Sequence, residues 1–100
     1  MTELKNYKMF IGGEWLDADT HKTFETLNPE NNKPWARVPE ASANDVDKAV
    51  KAAHNAFEGE WSKLLPRDRA KFLRAIGNKL RENAELVGKI GTIDTGKLFR

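Results

Sequence analysis

The hydrophobic period changes once along this 100-residue chain, close to residue 40, and that change limits what each part can fold into. Before it, apolar residues come in short runs or alternate with polar ones, as half-buried strands require. After it they recur every three or four residues, as one face of a helix requires. Met9-Phe10-Ile11 and Glu14-Trp15-Leu16 flank Gly12-Gly13. Two apolar segments across a glycine pair predict a tight hairpin, because both glycines accept positive φ. A polar stretch, residues 17–22, leads to an alternating one at 23–27. Asn28-Pro29-Glu30-Asn31-Asn32 is dense in turn formers. A last short strand is expected over 35–38, stopped by Pro39.

From Ser42 onward the helical period holds. Val46, Ala49, Val50, Ala53 and Phe57 form one stripe, and Ser42 with Asp45 three residues on resembles a capping box. Gly59 is the expected stop. A second helix is predicted to begin near Pro66, a residue suited to the first helical position, with Phe72, Leu73, Ile76 and Leu80 as its stripe. A third starts around Asn83 as N-cap, burying Leu86, Val87, Ile90 and Ile93. The expectation is one α+β unit over 1–100: strands at about 8–39, three helices at about 42–96, with no repeat and no linker.

Residues 91–98 read G-T-I-D-T-G-K-L and match the phosphate-binding loop pattern except at Leu98. A true phosphate loop follows a buried strand and opens a helix; here the preceding residues carry helical periodicity. Gly96 reads instead as the C-terminal cap of the third helix, with Lys97 near the negative end of its dipole. Asp17-Ala18-Asp19-Thr20-His21 hints at a calcium loop, but Lys22 stands where the sharp turn needs Gly and Asn28 where Glu is needed. His21 and His54 lack ligand spacing. The tryptophans Trp15, Trp35 and Trp61 read as anchors between elements.

Composition excludes several classes. There is no cysteine, so disulfides, thiolate metal sites and a cysteine nucleophile within these residues are ruled out. Seventeen basic residues against fifteen acidic ones leave a formal net charge of +2, which gives no global pull toward nucleic acid or anionic membranes. The one basic concentration is residues 63–81, whose Arg69, Lys71 and Arg74 are spread around a helix with no interleaved aromatic platform. No run is long enough to span a membrane, and the first ten residues lack a signal peptide's apolar core. A cytoplasmic protein with no nucleic-acid or membrane partner is the expectation.

In order, M-F-I-G-G-E-W, T-F-E-T-L-N-P, V-P-E-A-S-A-N-D-V-D-K-A-V-K-A-A, W-S-K-L-L-P-R-D-R-A and I-D-T-G-K resemble the N-terminal region of the NAD(P)-dependent aldehyde dehydrogenases. The wording of the second motif is closest to the betaine-aldehyde dehydrogenase branch. The resemblance runs from about Lys8 to Arg100. It implies oxidation of an aldehyde to a carboxylic acid: a cysteine thiolate attacks the aldehyde carbon, hydride passes to NAD or NADP, and a glutamate base activates water. Family members are several times longer, and these catalytic and cofactor-contacting residues lie downstream of the matched region. No catalytic or cofactor-binding position is therefore carried over, and the chain is expected to be scaffold, a fragment of the α/β cofactor domain. Its implied partners are the rest of the dehydrogenase chain, an aldehyde substrate and, in the complete protein, identical subunits.

One site is implied residue by residue. In betaine-aldehyde dehydrogenase-like members a monovalent cation, potassium or sodium, sits between the end of the T-F-E-T-[IL]-N-P strand and the Asp of D-T-G-K, which are Thr26, Leu27 and Asp94 here. Against it stands the reading that Asp94 hydrogen-bonds backbone at a helix end. The sequence departs from the family pattern at Gly91, where many members have Glu, and Gly88 is a second helix-weakening glycine nearby. These departures and the stop at Arg100 give the expectation of an inactive fragment. Its alternatives are a stand-alone interaction module and a nucleic-acid binder using residues 63–81.

Overall fold

The computed structural model describes residues 4–99. The order is β1 (Lys5–Asn6), β2 (Met9–Ile11), β3 (Glu14–Leu16), β4 (Thr23–Asn28), β5 (Lys33–Pro39), α1 (Ala43–Glu58), α2 (Glu60–Lys63), α3 (Pro66–Glu82) and α4 (Ala84–Thr95). β2 and β3 form the glycine-turn hairpin, with Gly12 at φ 59° and Gly13 at φ 83°. Phe10 and Trp15 face each other across it with ring centroids 4.8 Å apart. A separate three-stranded sheet has the order β1-β5-β4, with β1 parallel and β4 antiparallel to β5.

Two elements go beyond the sequence reading. β1 is polar, Lys5-Asn6, and pairs through its backbone with Ala36 and Arg37; a strand held only by ladder bonds leaves no alternation to read. α2 is a single turn after Gly59, where the Ser62 hydroxyl donates to the Gly59 carbonyl at 2.9 Å. β5 is also longer than expected, taking in Pro34 and ending on Pro39.

The start of α1 is the best-tied junction. The Ser42 hydroxyl accepts from the Asp45 amide at 3.1 Å, and the Ser42 amide donates to Asp45 Oδ2 at 2.9 Å, which closes the capping box. The same carboxylate accepts from the Asp19 amide at 3.2 Å, while Asn44 Nδ2 donates to the Asp19 carboxylate at 3.2 Å. Asp45 is only 4% exposed, the one buried charged residue among those described. It fastens the 17–22 loop to the first helix, with Asp19 of that loop bonded through both its amide and its carboxylate. Asn83 meets the expectation in position but not in its side chain. Its side-chain amide donates back to the Lys79 carbonyl at 2.9 Å, and no side-chain bond caps α4. It stands at the N-cap position of α4 as expected, with its carbonyl accepting from the Val87 N–H at 3.0 Å, but its side chain closes α3.

The helical stripes lie where the periodicity puts them, but they are not covered. Val50 is 61% exposed, Phe57 70%, Leu73 64% and Ile76 57%. Leu86 and Val87 of α4 are exposed too, while Ile90 and Ile93 are half-buried. The buried apolar residues among those described are Ala18 and Ala36. Accessible surface totals 8475 Å², against about 5,700 Å² for a folded monomer of this mass. The radius of gyration is 16.9 Å, against about 13 Å for a compact domain of this length. The anticipated buried face of α4 is thus half-built, and among the described residues the α1 and α3 stripes stay largely uncovered.

Above all the Ser42 backbone N–H holds the Asp45 carboxyl below its ordinary value of 3.8; burial opposes this, and the Asp19 amide, the Ser42 hydroxyl and the Lys48 charge reinforce it. A depressed carboxylate pKa contributes stability above the unfolded value, and that contribution is lost as pH falls through the folded one. Replacing Asp45 by Asn should therefore lower the unfolding midpoint near neutral pH, with the gap to wild type closing on acidification below pH 3.8. Circular dichroism melts across that range check this; a gap that stays constant into acid would contradict it.

Candidate functional site

Strands, a helix and converging polar side chains meet in the groove between α4 and the β1-β5-β4 sheet. It measures about 410 Å³ and is lined by Tyr7, Phe24, Thr26, Trp35, Ala36, Val38, Ile90 and Asp94. Alternation along β4 sends Phe24 and Thr26 to this face and Glu25 to the other, where Glu25 pairs with Arg37 at 3.7 Å. β5 does not alternate strictly. Thr26 pairs with Ala36 but Leu27 with Pro34, so the ladder skips Trp35 as a bulge. Trp35 and Ala36, though consecutive, therefore both line the groove. Tyr7 packs edge-on against Trp35 with ring centroids 6.2 Å apart.

At the groove's end Asp94 gathers the polar contacts. Its Oδ1 accepts from the Thr26 hydroxyl at 2.5 Å and from the Trp35 indole N–H at 3.2 Å. Its Oδ2 carries no hydrogen bond from another described residue. Of the expected trio, then, Thr26 and Asp94 are in direct contact, and Leu27 follows at the bulged step of β4, where Pro34 has no amide hydrogen to give the ladder. The bonds to Asp94 come from side chains, not from backbone at the helix end as the alternative reading had it. Two residues later Gly96 ends α4 at φ 77°, its N–H donating to the Thr92 carbonyl at 2.9 Å. A Cβ there would come within 3.2 Å of Pro29 Cγ, so the turn after β4 and the cap of α4 touch.

Other sequence signals do not assemble. Lys97 follows a left-handed cap, not the start of a helix, so the phosphate-loop match has no structural counterpart. No group of three His, Asp or Glu side chains among the described residues could hold a metal. His54 pairs with Glu58 across one helical turn at 3.2 Å. In the basic stretch Lys71 lies 3.8 Å from Asp68, and Lys79 lies 3.6 Å from Glu82. No helix among the described residues is long and apolar enough to cross a membrane. A larger hollow, about 780 Å³, opens elsewhere along α4 where Phe99 folds back over Gly88. Its only charged lining group is Lys97, so it offers no converging pair for chemistry.

This arrangement of hairpin, small sheet and helices recurs in solved proteins. Residues 15–100 match the model of the aldehyde dehydrogenase family. The chain belongs to that family. It is 40% identical over 101 residues to aldehyde dehydrogenase family 2 member C4 of Arabidopsis thaliana, covering 100% of this chain and 20% of that protein. It is 38% identical to cytosolic 10-formyltetrahydrofolate dehydrogenase of Xenopus tropicalis, across 99% of this chain and 11% of the other. Among solved structures, the NAD+ complex of aldehyde dehydrogenase from Bacillus cereus superposes with a TM-score of 0.90 at 38% identity, covering 95% of this chain and 20% of that one. Betaine aldehyde dehydrogenase from Staphylococcus aureus, also with NAD+, gives 0.87 at 36% identity, covering 92% and 18%. The fold is the N-terminal part of aldehyde dehydrogenase structures. The chain spans a fifth or less of the length of these relatives.

Trp35, read from sequence as an anchor between elements, does tie β5 to α4, but its place at this site was not foreseen. Its signal was the indole N–H, which needs an acceptor once the ring leaves water, but the acceptor lies 59 residues away. Substituting Gly96 by Ala should destabilise the α4 cap by about 1–2 kcal/mol, since a side chain at left-handed φ is strained, and here it also meets Pro29. A lowered thermal midpoint checks this; an unchanged one would mean that the cap and the turn do not hold each other.

Proposed function

We propose that this chain is the N-terminal scaffold of an enzyme that oxidises an aldehyde to a carboxylic acid with NAD(P)+, and that by itself it catalyses nothing. The observation that carries the reading is the family match over residues 15–100, joined to a side-chain inventory with no cysteine. A bound NAD(P)+ supplies hydride acceptance. No step through it is assigned to these residues, because their positive-φ glycines lie in the 12–13 turn and at the end of α4 rather than at the start of a helix. What they contribute is a packed frame: β4 and β5 hold α4 through Asp94, and the α1 and α3 stripes are left for further polypeptide to cover.

The uncovered stripes favour a packed segment over a free-standing interaction module, which would expose a face to its own partner only. In this reading the complete protein is cytoplasmic and homo-oligomeric. NAD+, named in the complexes of the two solved neighbours, is the cofactor to test first.

At Asp94 the proposal includes a potassium or sodium ion. The donors it calls on are all oxygen with one formal charge: the Asp94 carboxylate oxygen left without a hydrogen bond from another described residue, and the Thr26 and Leu27 carbonyls; in support, Pro34 opposite Leu27 has no amide hydrogen for the ladder. Such a set suits a hard monovalent cation, with remaining ligands from further chain or water.

The assay is NADH production from excess aldehyde. The 100-residue chain should give the protein-free rate, and the longer polypeptide carrying it should give protein-dependent turnover. NADH formation by the short chain would overturn the scaffold reading; an inert longer polypeptide would overturn the enzyme reading.

A further inference from the structure

Asp94 receives the two hydrogen bonds between side chains that span the most sequence among the described residues, 68 positions to Thr26 and 59 to Trp35. Both end on the same oxygen. A carboxylate left to itself rotates freely about its terminal bond and offers its two oxygens alike. One with two donors on Oδ1 is locked, and Oδ2 becomes the oxygen left for anything else. The bulge makes this possible. In strict pairing Trp35 would sit opposite a β4 residue with its ring on the other face of the sheet; the skipped register at Thr26–Leu27 turns the indole toward α4. Tyr7, edge-on at 6.2 Å, braces the ring from the β1 side.

We propose that Trp35 is a positioning residue which, together with Thr26, locks the Asp94 carboxylate so that Oδ2 ligates a monovalent cation beside the Thr26–Leu27 step of β4. The proposal rests on the cation reading given above. It adds that cation affinity is set from outside the ligand shell, by an indole N–H. The bulge, the proline and the two donors then serve one purpose, since each either frees an oxygen or aims it. Phenylalanine at this position would keep the ring packing against Tyr7 and lose only the lock.

The test uses the full-length polypeptide that carries this chain, with potassium chloride titrated against tetramethylammonium chloride at constant ionic strength. Unfolding midpoint is one readout, and the fluorine resonance of Trp35 in fluorotryptophan-labelled protein is the other. In wild type, potassium raises the midpoint saturably and shifts the Trp35 resonance, while tetramethylammonium does neither. Trp35→Phe and Thr26→Val should each raise half-saturating potassium by about tenfold or more, as loss of an outer partner does at other metal sites. Their midpoints without potassium should fall modestly, since each loses one bond between α4 and the sheet, so half-saturation rather than absolute midpoint is compared. Asp94→Asn should abolish the potassium response.

Wild-type half-saturation in both substituted proteins, whether or not they are less stable, would reduce Trp35 to a structural strut and overturn the proposal. Should Trp35→Phe fail to fold, Thr26→Val and the wild-type resonance decide, and a resonance indifferent to potassium overturns it. A wild type that cannot tell the two salts apart would overturn the cation reading, and the proposal with it.

Discussion

An apolar stripe on a helix stabilises only if something takes it out of water. Among the described residues the requirement is met fully only at Ala18 and Ala36 and is unmet along most of α1 and α3. Burying a single leucine or phenylalanine is worth roughly 1.5–3 kcal/mol relative to leaving it exposed. Val50, Phe57, Leu73 and Ile76 each keep more than half of their surface in solvent. A domain's stability is a small remainder after the entropy of ordering the chain is subtracted. Long helices with bare stripes therefore do not hold themselves in place. The accessible area and the radius of gyration, both well above those of a compact chain this size, express the same shortage. It is what a segment of a much longer family fold should look like.

What this segment does hold together it holds by polar ties at junctions. Asp45 joins the 17–22 loop to α1 with a buried carboxylate, and Asp94 joins α4 to β4 and β5 with an exposed one. The two work differently. Asp45 is consumed by its hydrogen bonds, and its lowered pKa records that. Asp94 keeps one oxygen unspent, at a point where a bulge and a proline interrupt the sheet. Structural frames ordinarily close such gaps, so an unspent oxygen at an interrupted ladder is where ligand chemistry is worth looking for.

Local rules made most of the elements legible in the sequence. The Gly12-Gly13 hairpin, the Ser42–Asp45 box, Pro66 at a helix start and the left-handed Gly96 cap each depend on a few consecutive residues. β1 was not legible because its two polar residues are recruited by the backbone of a strand thirty residues on. Asn83 was legible as the boundary of α4, but not the direction of its side chain, which donates back to the Lys79 carbonyl. At the site, Thr26, Leu27 and Asp94 came from family resemblance; no spacing rule would have paired residues 26 and 94. Trp35 was hidden behind a register shift, which depends on two strands at once. The bare stripes were legible as stripes, but whether a partner covers them is a property of the whole fold.

Equilibrium unfolding of the isolated 100 residues in urea, followed at once by tryptophan fluorescence and far-ultraviolet circular dichroism, bears most directly on that shortage of cover. If the helices depend on polypeptide beyond these residues, the two signals should change over broad, non-coincident ranges, with the helical signal lost first. One sharp transition shared by both probes, with a slope of about 1–3 kcal/mol per molar urea, would mean that the chain is a self-sufficient domain. The scaffold reading would then be contradicted.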